Sequence, residues 1–138
     1  MKSFLSLTAI IEGLTGFALI AAPVPLVSFL LGVPLLGAGG MIAAFIAGAA
    51  IISVAFFCWL SRKNANDFAI VKTMVVYNIA VVAILVYGVI NYQLMTVPLW
   101  LVVGFHLVFA VWAIMIIQKQ NPEKHTDILQ KKQSNKKK

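Results

Sequence analysis

Negative charge is almost missing from this sequence: Glu12, Asp67, Glu123 and Asp127 are its only acids in 138 residues. Cysteine is nearly missing too. Cys58 stands alone, so no internal disulfide and no cysteine-built metal site can form. Its place just before Trp59 and near Arg62-Lys63 predicts a reduced filler embedded in a membrane. Charged residues of both signs make up 11% of the chain, where a soluble domain carries about a quarter. Apolar residues make up 62%, and the mean hydropathy is +0.97. A water-soluble globule of this size could not hide so much apolar surface, which excludes that class. The net charge of +7 does not signal nucleic-acid binding, because seven of the eleven basic residues sit in the last twenty positions rather than on a folded face. Nucleophile motifs, glycine-rich phosphate loops and paired catalytic acids are absent as well.

What remains is apolar helix. A hydrocarbon core of about 30 Å takes about 20 helical residues to cross. Four stretches qualify, at about residues 4–22, 41–60, 68–90 and 98–117. Each is apolar around its whole circumference, as a membrane span requires. Lys2 and the first apolar run resemble a signal peptide, but Glu12 interrupts the run and Pro23 follows Ala21-Ala22 where cleavage would fall. The first stretch is therefore read as a retained helix. No internal repeat of 20–50 residues is present.

The connections differ in kind. Residues 23–40 form an uncharged outer loop, in which Pro23 and Pro25 end the first helix. Its run Leu26–Leu31 is too short to cross and too apolar for water, so it is expected along the interface or folded back against the helices. Ser61–Asp67 reads as a polar turn, and Asn91–Val97 as a short uncharged one followed by Trp100 as an interface anchor. Residues 118–138 form a basic tail. There, Asn121-Pro122-Glu123 has the form of a helix start. The expected organisation is a four-span domain over 1–117 and a basic tail over 118–138.

Orientation follows from the cations. With four spans, both termini and the Arg62 turn share one side. Lys2, Arg62, Lys63, Lys72 and the seven tail lysines all fall there. Lys and Arg accumulate on the cytoplasmic side, which predicts an all-α four-helix transmembrane bundle with both termini cytoplasmic.

Inside the spans, Glu12 is the one acid at depth. A charge there costs about 2.5–3.5 kcal/mol on insertion scales, so such a residue faces the helices and has a purpose. At 1.5 Å per residue, Glu12 lies about 12 Å from Phe4, Asn78 about 15 Å from Phe68 and His106 about 16 Å from Ile117. All three distances run from the same membrane face, so three polar residues on three helices share one depth. Glu12 has Thr8, Ala9, Thr15 and Gly16 around it at helical spacing, and Tyr77 adjoins Asn78. Glu12, Asn78, His106, Thr15 and Tyr77 are therefore the candidates for binding a ligand or a proton, with a Glu12–His106 pair expected to share one. The same residues equally suit interhelical hydrogen bonds, worth about 0.6 kcal/mol each in a membrane. Gly40, Ala44 and Gly48 recur every four residues, a small-residue pattern that marks helix contacts within or between subunits. One Glu and one His fall short of the three ligands of a catalytic zinc, and a bis-histidine haem would need two copies of the chain, so no cofactor is expected.

Two resemblances follow from these residues. Ala9-Ile10-Ile11-Glu12 resembles the first helix of the small multidrug-resistance transporters, four-helix proteins with one essential acid in that span. Their third helix is glycine-rich with a Trp beside the site, whereas this one has Tyr77, Gly88 alone and no Trp, so no substrate or mechanism is carried over. Glu12-Gly13, Leu30-Leu31-Gly32, Tyr77-Asn78 and the segment from Trp100 to His106 together resemble small bacterial four-helix membrane proteins. That likeness implies the architecture and a bacterial inner membrane, and no chemistry. The functional expectation is a non-enzymatic scaffold or accessory subunit, packing against another membrane protein or a second copy. The alternative is a proton-linked carrier or binder of a small lipophilic molecule. Lys131, Lys132, Lys136, Lys137 and Lys138 are candidates for contact with anionic lipid at about 1 kcal/mol per lysine.

Overall fold

A computed structural model describes residues 1–64 and 68–119. Those residues form five α-helices and no strand: α1 Lys2–Ala21, α2 Pro23–Leu31, α3 Gly37–Ser61, α4 Phe68–Tyr92 and α5 Val97–Lys119. The tail lysines Lys131, Lys132, Lys136, Lys137 and Lys138, and the helix start expected at Asn121, lie outside the described residues.

Four of the helices, α1, α3, α4 and α5, are long and apolar enough to cross a membrane. The segment between α1 and α3 is more ordered than an irregular loop. Pro23 begins α2, since a proline in the first turn forfeits no helical hydrogen bond. Helix α2 then stops at Gly32, whose φ of 72° is the left-handed cap that glycine adopts without strain. Residues 37–40, which composition places in the loop, belong to α3. Glycines there weaken the composition signal but do not stop a helix that packing supports.

The helices pack chiefly as two pairs, α1 with α3 and α4 with α5. At the α1–α3 crossing the backbones nearly touch. A Cβ on Gly16 would stand 2.7 Å from the Gly48 carbonyl oxygen, and one on Gly48 would stand 2.8 Å from that of Gly16. Where hydrophobicity cannot drive association, this close approach supplies the dispersion contact that does. The pairs meet at a core of Phe4, Leu5, Cys58, Met74 and Phe109 with their neighbours. Phe4 sits edge-on to Trp112 at 5.4 Å, and the Cys58 thiol meets the Met74 sulfur at 3.6 Å. These contacts bring the start of α1, the end of α3, the start of α4 and the end of α5 to one end of the molecule. A smaller core of Val89, Leu99 and Val103 lies toward the other.

Thr96 closes that far end. Its hydroxyl caps α5 by accepting the Leu99 N–H at 3.2 Å and itself donates to the Leu30 carbonyl of α2. Facing outward, the long helices expose apolar side chains such as Leu14, Phe17, Ile46, Ile84 and Leu101. In water that surface would aggregate, whereas lipid tails match it.

A buried polar seam between the helix pairs

Glu12 lies in the middle of α1 and is only 5% exposed. Its Oε2 accepts a hydrogen bond from the Tyr77 hydroxyl of α4 at 2.9 Å. Tyr77 carries an apolar ring with one polar tip, and a buried tip needs a partner. The bond joins the α1–α3 pair to the α4–α5 pair.

Next to it is a second bond. The Asn78 amide donates through Nδ2 to the Met74 carbonyl at 2.7 Å, one turn back in α4. That bond fixes which way the amide points, leaving Oδ1 to face His106 Nδ1 at 2.8 Å. Because Oδ1 can only accept, the proton resides on Nδ1, which donates, and Nε2 is left as an acceptor in the neutral ring. The Tyr77 ring stands edge-on to His106 with centroids 5.9 Å apart, so the two hydrogen-bonded pairs are contiguous. Phe105 packs edge-on against the same imidazole at 5.5 Å.

Of the five candidates, Glu12, Tyr77, Asn78 and His106 thus form one seam across α1, α4 and α5. Thr15 is half-buried and takes no part in these bonds. The expected Glu12–His106 hydrogen bond does not form: Tyr77 holds the carboxylate and Asn78 holds the imidazole. Equal depth leaves the helix rotations open, and the rotation of α4 interposes Tyr77.

Two further polar residues matter that sequence reasoning does not bring forward. Thr8 stands in the sequence only as one member of a small stripe, yet it is 2% exposed, one turn from Glu12, and its Oγ1 has no hydrogen-bond partner among the described residues. Thr96 has a weaker signal, a threonine two residues before Pro98 at a helix start. Among the described residues no three of His, Cys, Asp and Glu come together. The arrangement can hold three helices in register, and its one carboxyl group can bind or release a proton.

Comparison of the chain with family models, with curated proteins and with solved structures finds no match in any of the three.

Proposed function

We propose that this chain is a multi-pass protein of the bacterial inner membrane, with both termini cytoplasmic, acting as a non-enzymatic scaffold or accessory subunit. The observation that carries this reading is how the buried polar groups are used. Glu12 is sealed and hydrogen-bonded across the seam to Tyr77, and Asn78 and His106 bond each other between α4 and α5. Such bonds fix which helices meet, which is the usual work of polar side chains in membrane interiors. Outside the seam, the long helices offer apolar surface to lipid or to another membrane protein.

A second reading, the proton-linked binder of a lipophilic molecule, has one observation in its favour. The unpartnered Thr8 hydroxyl beside Glu12 leaves a polar group that an incoming ligand could satisfy.

The test uses purified protein in sealed vesicles that trap a pH-sensitive dye. With a lipophilic amine outside and an imposed proton gradient, a scaffold leaves the gradient standing at the rate of empty vesicles. A proton-linked carrier collapses it, and Glu12→Gln abolishes the collapse. The partner half of the proposal is read by chemical crosslinking in native membranes, which should trap a discrete adduct of fixed size; monomer alone would overturn it.

A further inference from the structure

A shallow apolar groove of about 260 Å³ runs between α1 and α3 on the outward surface, lined by Ala9, Ile10, Ile52, Ala55, Phe56 and Trp59. Ala9 and Ala55 form its floor, buried, while Phe56 and Trp59 stand exposed at its side and end. Trp59 marks the end nearest the α3 terminus, three residues before Arg62. There Cζ of the Arg62 guanidinium lies over the Trp59 ring, 3.2 Å from its centroid, and Nη1 donates a hydrogen bond to the Trp59 carbonyl at 2.8 Å. A guanidinium has five N–H donors. The bond to the Trp59 carbonyl uses one of them. The other described cations of this end, Lys2, Lys63, Lys72 and Lys119, are exposed, and none has the stacking that holds Arg62 in place.

We infer that the groove and Arg62 together form a binding site for one anionic phospholipid, with an acyl chain along Ile10, Ile52 and Phe56 and the headgroup phosphate on the guanidinium. Three features combine in this assignment. The groove is apolar and opens toward where acyl chains lie. Trp59 sits at its charged end, the level at which indole rings favour the membrane interface. The guanidinium fork matches two phosphate oxygens at once, and stacking has already removed much of its rotational freedom. The site is separate from the Glu12 seam and does not depend on what that seam does.

Trp59 reports the site directly. In the 138-residue chain carrying Trp100→Phe and Trp112→Phe, Trp59 is the sole tryptophan, and its emission is excited selectively over that of the tyrosines. This protein is reconstituted in vesicles containing a small fraction of acyl-brominated phosphatidylglycerol or, separately, of acyl-brominated phosphatidylcholine. Bromine quenches on contact, so the anionic lipid should quench Trp59 more strongly at equal fraction. Arg62→Gln should reduce that preference about five-fold, the equivalent of one basic contact at a membrane surface. Lys63→Gln removes the same charge one residue away and should leave the preference near its original value. Equal quenching by the two lipids overturns the site. So does an equal loss in both variants, which would assign the preference to the diffuse charge of that end. Should the double Phe background lose helix, spin-labelled versions of the two lipids on the otherwise unaltered chain give the same ratio, and the same two outcomes overturn the site.

Discussion

Glu12 is the costliest residue in the spans, and its environment says how that cost is offset. Tyr77 supplies one hydrogen bond to a side chain that is buried, where an unpaired acceptor is expensive. The variants divide sharply by what they leave behind. Glu12→Gln keeps an acceptor for the Tyr77 hydroxyl, so stability in SDS unfolding should change by less than about 0.6 kcal/mol, the average of such bonds in membranes. Glu12→Leu strands the hydroxyl and should cost about 1–3 kcal/mol. If Gln proves as damaging as Leu, the carboxylate has another essential partner and the seam as described is incomplete. Glu12 is conspicuous in the sequence because a lone acid in apolar surroundings needs no alignment to be noticed. Its partner is harder to see. Tyr77 has a hydroxyl at almost the same height as Asn78, but adjacent residues on a helix differ by about 100° in direction, and height says nothing about direction.

Hydropathy locates the four long helices because each needs its apolar residues in one unbroken run, a signal that survives without any knowledge of packing. The short α2 is less legible. Its nine residues are bounded by Pro23 and Gly32, both turn-formers in isolation, and only the packing context makes one a helix start and the other a cap. The α1–α3 crossing is intermediate. Gly48 belongs to a readable small-residue pattern and Gly16 to another, but their meeting is a tertiary fact. It predicts a contrast between two glycine-to-alanine changes. Gly16→Ala places a Cβ 2.7 Å from the Gly48 carbonyl oxygen and must push two backbones apart, at a cost of about 1–3 kcal/mol. At Gly104 in α5 a Cβ would meet nothing within 4 Å, so Gly104→Ala should be neutral or stabilising by up to about 1 kcal/mol. Thermal unfolding of the two variants in one detergent checks this, and equal effects would mean that the close crossing does not contribute. Thr96→Val offers a third comparison at this scale. It keeps the shape but removes the α5 cap and the tie to Leu30, and should cost about 0.5–2 kcal/mol.

At the scale of the whole molecule, the contacts of Phe4 with Trp112 and of Cys58 with Met74 gather the start of α1, the end of α3, the start of α4 and the end of α5 at one end. Lys2, Arg62, Lys63, Lys72 and Lys119 belong to that end, and the remaining basic residues of the sequence follow Lys119 in the tail. The segments at the opposite end, 32–36 and 93–96, contain no charged residue. A folded arrangement alone does not choose between the two faces of a membrane, but insertion does, because Lys and Arg near span ends are retained on the cytoplasmic side. The two ends should therefore differ in chemical access in living cells. In a Cys58→Ala background, single cysteines placed at Gln93 and at Ser134 report the two sides. A membrane-impermeant maleimide applied from the non-cytoplasmic side should label position 93 and spare position 134 until the membrane is opened. Labelling of both positions, or of 134 alone, would mean that the charge bias does not set this topology. Reversal has its own control. Replacing Arg62, Lys63 and Lys72 by Gln while adding lysines at Gln93 and Asn91 weakens the bias at the central turn, and a mixed labelling pattern is then expected if charge is the determinant.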